Sequence, residues 1–283
     1  MKVVETLAEL RAVCRELPRP LGLVPTMGAL HEGHLSLVRA AAERCASVGV
    51  SLFVNPTQFS PTEDLAAYPR DLPGDLAKLE VVGVDVVWTP PVPEVYPQGF
   101  QTWVEVEQVS RQLEGKQRPG HFRGVTTVVA KLFHAFEPDF AFFGQKDAQQ
   151  CVVIRRMVSE LDFPLEVVVR PTVREPDGLA MSSRNVYLNS AERAAAPVVY
   201  RALTTAAKAF ADGEETAEAL RRRMAEVLAA EPLAEPEYVS VADPASLEEL
   251  QGQVKAALLS LAVRIGTTRL IDNQLVGDRP LGG

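Results

Sequence analysis

Histidine, cysteine and aromatic residues are scarce in this chain. Its 283 residues include four histidines, three cysteines and 6% aromatic residues. Because Cys14, Cys45 and Cys151 are far apart and odd in number, the sequence indicates neither a disulfide framework nor a cysteine-rich metal site, and we expect buried, reduced thiols. No uninterrupted apolar run approaches the length of a membrane span, so we expect no membrane segment.

Basic residues are also fewer than acidic residues. The chain has 29 Lys and Arg against 37 Asp and Glu, a formal charge of −8. Such a surface repels nucleic acid and anionic membranes, so we expect neither as a partner, although a local basic pocket remains compatible with this balance. Residues 1–20 carry charges throughout and lack the apolar segment of a signal peptide, which predicts a cytoplasmic location.

Short apolar runs alternate with helical patterns over the first 171 residues. The predicted strands are 21–25, 48–54, 84–88, 139–144 and 165–171, and the predicted helices are 34–48, 75–83, 124–137 and 148–162. On the helix 34–48 we expect Leu35, Val38, Ala42 and Cys45 to form the buried face, and we expect the prolines between 90 and 97 to form a loop. Strands with little polar alternation, separated by helices, predict a Rossmann-like, doubly wound parallel sheet.

The pattern changes after residue 172. Two helices are predicted at 190–213 and 216–231, followed by three strands at 236–243, 255–266 and 268–276. We therefore predict an α/β domain over 1–172 and a smaller α+β domain over 173–283. The run Arg221–Arg223 is interpreted as a solvated helix face, with a binding role as the alternative.

The segment 25–37, PTMGALHEGHLSL, places two histidines at a predicted helix entrance. His31 and His34 are three residues apart and follow the first predicted strand. A helix amino terminus at the carboxyl edge of a parallel sheet suits phosphate, and Gly28 and Gly33 allow a close backbone approach. Imidazole N–H groups donate to phosphate oxygens. The alternatives are a zinc-binding pair and a purely structural turn.

A second strand-to-helix junction is the segment 142–150, FFGQKDAQQ. Gly144 is predicted to turn the chain, and a helix is predicted to begin near Asp147. Asp147 with Gln150 fits a capping box, which is the structural interpretation of both residues. Lys146 opposes the dipole of that helix unless an anion lies between them, so we favour a phosphate contact over a solvated lysine.

The segment 179–188, LAMSSRNVYL, combines two hydroxyls with a guanidinium. Ser182 and Ser183 are phosphate donors, and Arg184 adds a planar, permanently charged group. We expect this loop to close over a bound nucleotide, an ordinary turn being the alternative.

Two more segments carry polar side chains near the predicted sheet edge. The segment FVNPTQF (53–59) offers Asn55 and Gln58 after the second strand. The segment RPGHFRGV (118–125) offers Arg118, His121 and Arg123. These last three either bind anions or position the helix that follows, and the sequence does not separate the two interpretations.

Five segments of the chain, in this order over residues 25–188, resemble the pantoate–β-alanine ligase family. They are PTMGALHEGH, FVNPTQF, RPGHFRGV, FFGQKDAQQ and MSSRNVYL. The wider relatives are nucleotidyltransferases and class I aminoacyl-tRNA synthetases with HIGH and KMSKS motifs. Residues 180–184 are AMSSR, with one arginine instead of flanking lysines, and this departure favours the ligase family. The resemblance implies that ATP and pantoate form pantoyl adenylate and pyrophosphate, and that β-alanine then displaces AMP.

The resemblance also implies roles for individual residues. Those expected to bind the triphosphate are His31, His34, Lys146, Ser182, Ser183 and Arg184. Of these, His31, His34, Lys146 and Arg184 are the expected catalytic residues. Further ATP contacts are expected from Met27, Gly33, Gly144, Asp147, Val173 and Met181. Pantoate is expected to bind Gln58 and Gln150 by hydrogen bonds and Met27, Phe53 and Phe143 through its dimethyl group. The family also implies Mg²⁺ and a homodimer, and the sequence identifies no metal ligand.

Two other functions use the same features. One is a nucleotidyltransferase that acts on a mononucleotide and forms a dinucleotide. The other is a non-catalytic nucleotide sensor, which binds ATP without releasing pyrophosphate. A tRNA-charging role is disfavoured by the acidic balance of the chain.

Overall fold

The computed structural model describes residues 1–60, 63–214 and 216–282, and the chain forms two compact units. The first unit comprises 1–107, 117–144 and 153–171, and the second comprises 108–116, 145–152 and the chain from Thr172 onward. The second unit therefore includes two short segments, 108–116 and 145–152, that interrupt the first unit in the sequence. The division into domains 1–172 and 173–283 stays a prediction.

A parallel sheet forms the centre of the first unit. Its strand order is β1-β4-β3-β2-β5-β6, and all of its pairings are parallel. The strands are β1 (Lys2–Val4), β2 (Leu21–Thr26), β3 (Ser47–Leu52), β4 (Val86–Trp88), β5 (Phe140–Gly144) and β6 (Glu166–Arg170). The predicted parallel α/β fold is confirmed, and β1 is an additional edge strand.

Helices connect these strands. They are α1 (Leu7–Glu16), α2 (Glu32–Arg44), α3 (Leu72–Val81), α4 (Val92–Val95), α5 (Leu113–Gln117), α6 (His121–Phe136) and α7 (Ala148–Glu160). Helix α2 ends earlier than predicted because Cys45 is extended and Ser47 already pairs with Leu21 of β2. The proline-rich stretch is not entirely loop: proline is tolerated in the first turn of a helix, and α4 forms there.

The core of the first unit lies between α2 and the central strands. Of the four predicted positions, Val38 is buried, Leu35 and Cys45 are partly buried against the core, and Ala42 is exposed, which is the one wrong position; Leu37, Ala40 and Ala41 are further buried helix positions. Val24, Val50 and Val87 contribute to the same cluster from three neighbouring strands. Burial of Val and Leu side chains on both faces explains why these strands show little polar alternation.

The cysteines differ in exposure. Cys14 and Cys151 are buried, as predicted, but Cys45 is only partly buried, and none of these three cysteines forms a disulfide bond. Burial raises the pKa of the Cys14 thiol to about 11, so this thiol is protonated at neutral pH and is a poor nucleophile.

The strand order reverses between β2 and β5. From β2 the chain continues to β3 and β4 on one side, whereas β5 leads to β6 on the other. The two strands pair only at Gly22–Phe140 and Leu23–Ala141, so their carboxyl ends lie beyond the ladder. Open parallel sheets bind ligands at such a switch point, outside the carboxyl ends of the strands.

The second unit contains an antiparallel sheet of strand order β7-β8-β9 with helices packed on it. Its elements are α8 (Ser190–Ala195), α9 (Val198–Ala211), α10 (Ala217–Ala229), β7 (Ala234–Ala242), β8 (Ala257–Ile265) and β9 (Thr268–Val276). The predicted α+β character is confirmed. The helix predicted over 190–213 is two helices, because Pro197 lacks the N–H that a continuous helix requires. Within the described ranges, no helix combines the length and apolarity needed to cross a bilayer.

Candidate active site

The loop that follows β2 carries the residues before the histidine pair. Gly28 and Ala29 both have positive φ, +82° and +51°, and they turn the chain from the sheet into α2. The carboxylate of Asp75, on α3, accepts hydrogen bonds of 2.7 Å from the backbone N–H groups of Ala29 and Leu30. These contacts satisfy a buried carboxylate and fix the loop in its left-handed conformation.

Lys78 supports the same loop from the next turn of α3. Its Nζ donates to the carbonyl oxygen of Leu30 at 2.8 Å and lies 3.8 Å from Oδ1 of Asp75. A Cβ at Gly28 would lie 3.0 Å from Oδ2 of Asp75, so glycine suits the position on two grounds. The sequence interpretation missed both Asp75 and Lys78. The available signal was an acid–base pair spaced i, i+3 in a helix of mixed polarity.

His31 and His34 form a reciprocal cap at the amino terminus of α2. Nδ1 of His31 accepts a hydrogen bond from the Gly33 N–H at 3.1 Å, and Nδ1 of His34 accepts one from the His31 N–H at 3.3 Å. The ring centroids are 4.1 Å apart. A neutral imidazole that accepts at Nδ1 carries its proton on Nε2, so both rings are Nε2–H donors.

The cap bears on the three interpretations of the histidine pair. The structural role is real, since two N–H groups of the first turn are satisfied by imidazoles. Zinc is disfavoured: in the described part of the chain, no group of three or more His, Cys, Asp or Glu side chains is placed to hold a metal ion. Capping through Nδ1 is compatible with phosphate binding through Nε2.

Gln58 and Met27, which the sequence analysis predicts to bind pantoate, are neighbours in the structure. Nε2 of Gln58 lies 3.1 Å from the Met27 sulfur, and its Oε1 accepts from Nδ2 of Asn55 at 3.1 Å. Asn55 is buried, and its side chain also bonds to Thr57 and to the Gly124 carbonyl oxygen. Asn55 thus fixes the orientation of the Gln58 side chain through the bond to its Oε1, and it caps the short 3₁₀ turn Pro56–Gln58.

The segment 118–125 positions this turn. Arg118 makes a two-point ion pair with Glu63, at 2.8 and 2.7 Å, and also donates to the Gln58 carbonyl oxygen at 3.3 Å. Nδ1 of His121 lies 2.8 Å from the same oxygen. The guanidinium of Arg123 stacks over Trp103, 4.6 Å from the ring centroid. Each of the three side chains has a protein partner, which favours the positioning interpretation that the sequence left open.

Glycine at 124 is required by a close backbone approach. A Cβ there would lie 2.4 Å from the carbonyl oxygen of Thr57 and 2.8 Å from the backbone nitrogen of Gln58. Helix α6 therefore packs directly on the turn that carries Gln58.

Phe53 and Phe143 are buried apolar side chains of the first unit. Phe53 follows β3, and its N–H bonds to the Thr26 carbonyl oxygen at 3.1 Å, next to Met27 in the chain. Phe143 is the penultimate residue of β5, and Gly144 ends that strand. Both aromatic residues lie at the carboxyl ends of their strands, where the sequence predicted them.

In the second unit, the residues that follow β5 form a 3₁₀ turn, Gln145–Asp147, and α7 begins at Ala148. The Lys146 side chain is 21% exposed, and its Nζ lies 3.7 Å from Oδ1 of the more exposed Asp147. Gln150 is half-buried in the first turn of α7. Lys146 is thus a largely enclosed cation, which disfavours the interpretation that it is a solvated lysine.

The MSSRN segment follows a narrow hairpin in the second unit. The Met181 N–H donates to the Val173 carbonyl oxygen at 3.0 Å, and Arg174 and Ala180 form an isolated bridge. Ser182 then caps the 3₁₀ turn Ser183–Tyr187, its Oγ accepting from the Arg184 N–H at 3.3 Å. The segment is therefore ordered by local hydrogen bonds, and its hydroxyl and guanidinium groups lie on one short turn.

Known proteins agree with this picture. The sequence matches the Pantoate-beta-alanine ligase family over residues 2–275. It is 60% identical over 274 residues to a pantothenate synthetase of Herpetosiphon aurantiacus, covering 96% of this chain and 99% of that one. A crystal structure of pantothenate synthetase from Thermus thermophilus superposes with a TM-score of 0.94 at 48% identity, over 98% and 100% of the two chains. A pantoate-beta-alanine ligase from Francisella tularensis, complexed with β,γ-ATP and β-alanine, has a TM-score of 0.81 at 34% identity, over 97% of each chain.

Proposed function

Because the chain belongs to the pantoate–β-alanine ligase family and joins pantoate to β-alanine to form pantothenate, we propose that it does so with ATP through a pantoyl-adenylate intermediate. In the first step a pantoate carboxylate oxygen attacks the α-phosphorus and pyrophosphate leaves. In the second step the amine of β-alanine attacks the pantoyl carbonyl carbon and AMP leaves. The complex of the Francisella tularensis relative with β,γ-ATP and β-alanine supports nucleotide use.

The first step needs charge compensation more than proton transfer. A carboxylate is already ionised at neutral pH, so no general base is required. The nucleophile and the triphosphate are both anionic, and fixed N–H donors and cations reduce their repulsion and stabilise the charge that grows on pyrophosphate. We assign this role to His31, His34, Lys146, Ser182, Ser183 and Arg184.

The reciprocal imidazole cap carries this proposal. Both Nδ1 atoms accept backbone N–H groups, and this defines Nε2 as the donor in each neutral ring. Donors held by backbone contacts need no reorganisation when charge develops, which is the property that electrostatic catalysis requires. Asp75 adds to this by fixing the loop that precedes His31.

Pantoate recognition is assigned to Gln58 and Gln150, with Met27, Phe53 and Phe143 as apolar contacts for the dimethyl group. Support comes from the 3.1 Å contact between Gln58 and Met27 and from the burial of both phenylalanines. A rigid amide next to apolar side chains suits a small molecule with a hydroxyl on one side and methyl groups on the other. The remaining predicted ATP contacts, Gly33, Gly144, Asp147, Val173 and Met181, are assigned to the nucleotide.

The second step requires loss of a proton from β-alanine. Its ammonium has a pKa of about 10, like that of lysine, so the amine must be deprotonated before it attacks. Of the two candidate bases, His34 and solvent, we propose solvent, because Nδ1 of His34 already accepts the His31 N–H. The mixed anhydride must also be kept from water, and we propose that the 181–188 loop closes over it.

Mg²⁺ is proposed as a companion of ATP. The described residues contain no group of three or more His, Cys, Asp or Glu placed for a metal ion, which fits an ion carried largely by phosphate oxygens and water. When bound, the ion supplies positive charge to the phosphates. A homodimer and a cytoplasmic location stay predictions.

One assay tests the proposed reaction. Pantoate-dependent exchange of labelled pyrophosphate into ATP reports the first step, and release of AMP on adding β-alanine reports the second. A mononucleotide transferase would exchange pyrophosphate only with a nucleotide acceptor. A nucleotide sensor would bind ATP and show no exchange with any acid, and either result would replace the proposal.

A further inference from the structure

Two adjacent residues of β9 contact parts of the second unit that carry or lead to the residues assigned to phosphate: Asn273 contacts the turn of Lys146, and Asp272 contacts Arg174 in the hairpin that leads to Ser182. We propose that they are positioning residues that set the location of Lys146 and of the Ser182–Arg184 turn. The expected effect on catalysis rests on the proposed function. The positioning itself is argued from contacts within the second unit alone.

Asn273 holds the turn that carries Lys146. Its Nδ2 donates to the carbonyl oxygens of Gln145 and Lys146, at 2.8 and 2.9 Å, and the Asn273 side chain is buried. The Gln145 amide returns a contact of 3.4 Å to Oδ1 of Asn273. Because a side-chain amide has two N–H donors, it satisfies both carbonyl groups of this turn at once. The backbone at Lys146 is therefore tied to the sheet.

Asp272 holds the hairpin that leads to Ser182. Its carboxylate makes a two-point ion pair with Arg174, at 2.5 and 3.0 Å, and also accepts the N–H of Asn273 at 2.8 Å. Arg174 further donates to the Gly178 carbonyl oxygen and stacks over Tyr200, 4.0 Å from the ring centroid. The side chain of Arg174 thus ties the hairpin to Asp272 and also bonds to its tip at Gly178.

The packing around the hairpin leaves it little freedom. Gly178 has a φ of +92°, and a Cβ there would lie 2.1 Å from Cδ1 of Tyr200. The hairpin is bonded across by the Arg174–Ala180 bridge, and the chain goes on from Ala180 to Met181 and Ser182. A shift of Arg174 is therefore passed along the hairpin to the phosphate-binding turn.

The contacts with the hairpin and with the Lys146 turn explain why Asp272 and Asn273 are polar although they are buried in a strand that packs against helices. Asp272 and Asn273 are each 4% exposed, and burial raises the pKa of the Asp272 carboxyl although Arg174 opposes this. A buried carboxylate of this kind costs stability unless its partners are in place. Neither residue is predicted to touch ATP or pantoate, so their role is to fix the groups that do.

The kinetic test is a double-mutant cycle. Asn273→Ala is expected to lower kcat for pantoate-dependent pyrophosphate exchange at least about tenfold, since small misplacements of catalytic groups cost on this scale. In a Lys146→Ala background the same substitution is expected to change kcat less than about twofold, because the group it positions is gone. Fully additive effects, or a wild-type kcat for Asn273→Ala, would overturn the proposal. Should Asn273→Ala not fold, Asn273→Ser retains a short donor and serves in its place.

A second measurement does not depend on activity. Hydrogen–deuterium exchange is expected to rise in residues 145–148 for Asn273→Ala and in residues 174–184 for Asp272→Asn. Glu249→Gln is the matched control, because it removes an ion pair of the same unit, with Arg221, and leaves those segments untouched. Unchanged exchange in 145–148 and 174–184 would contradict the positioning role. A wild-type chain without pyrophosphate exchange would instead contradict the proposed function.

Discussion

The imidazole of His34 accepts a hydrogen bond from the backbone N–H of His31, while the imidazole of His31 accepts one from Gly33. Each ring thus has a structural bond at Nδ1 and a donor at Nε2. This division of the two nitrogens makes the structural and the phosphate-binding roles experimentally separable.

Substituting His31 by asparagine separates the two roles. Asparagine is among the best helix-capping residues, so His31→Asn is expected to keep the unfolding midpoint close to that of the wild type. It removes the Nε2 donor, and the rate of pantoate-dependent pyrophosphate exchange is expected to fall on the order of 100-fold.

The control is His31→Ala, which removes both functions. It is expected to lose activity to the same extent and also to lower the free energy of unfolding by about 1 kcal/mol. A wild-type exchange rate in His31→Asn would show that His31 serves only as a cap.

Asp75→Asn tests the support of the histidine loop. The carboxylate accepts two backbone N–H groups, and an amide would present its own NH₂ to one of them. Leaving a buried N–H unsatisfied costs about 1–3 kcal/mol, so thermal or urea unfolding is expected to show a loss of that size. The KM for ATP is expected to rise with it, because the loop leads to His31.

Helix α3 offers a matched control for that substitution. Asp71 caps the helix by accepting the Gly74 N–H at 3.1 Å, and asparagine performs this role equally well. Asp71→Asn should therefore leave both the stability and the KM for ATP unchanged. Equal effects of the two substitutions on stability and on the KM for ATP would show that Asp75 does not specifically support the loop before His31.

The parallel sheet was predictable because its strands are apolar on both faces and are separated by helical patterns. The positions of His31 and Gln58 were predictable for a related reason: each follows a strand of that sheet at its carboxyl end. Edge strand β1 was missed, because its three residues form too short an apolar run to stand out.

The supporting residues could not be predicted. Asp75 lies 46 residues after Ala29, and Asn273 lies 127 residues after Lys146, and each makes its contact through tertiary packing alone. A single sequence reveals local spacing and periodicity but not which distant polar side chains meet. The same holds for Arg118 and His121, whose basic character was compatible with anion binding until their partners were known.

Gly124→Ala is expected to affect pantoate more than ATP. Alanine at a helix position normally stabilises by about 1 kcal/mol, but here the Cβ would meet the Thr57 carbonyl oxygen at 2.4 Å. The turn that carries Gln58 must therefore move. Steady-state kinetics are expected to show a several-fold or larger rise in the KM for pantoate, with the KM for ATP changed much less. Equal increases in both constants would indicate a general loss of structure.

The Glu63–Arg118 pair predicts a pH dependence of stability. Although burial opposes it, hydrogen bonding and attraction by the Arg118 guanidinium lower the pKa of Glu63 below its ordinary value of 4.5. A lowered folded pKa contributes stability above the unfolded pKa, and this contribution is lost as the pH falls through the folded pKa.

Glu63→Gln measures that contribution. At pH 7 the variant is expected to be less stable than the wild type by about 1 kcal/mol, as for a well-aligned, partly exposed pair. The difference is expected to shrink as the pH falls below 4.5, because the wild-type carboxyl becomes neutral too. Urea unfolding at several pH values provides the comparison, and a difference that is constant between about pH 7 and pH 3 would assign the effect to packing instead.

Lys146→Ala tests the cation that we assign to the triphosphate. The side chain is largely enclosed, and its Nζ lies 3.7 Å from the Asp147 carboxylate. Its loss removes one positive charge near the phosphates, and the rate of pantoyl-adenylate formation is expected to fall at least about 100-fold. Lys255→Ala is the control, since it removes an exposed lysine of the same unit and the same net charge. Because both substitutions change the net charge of the chain equally, a difference between the two variants reports the local position of Lys146. Similar rates in both variants would exclude Lys146 from the first step.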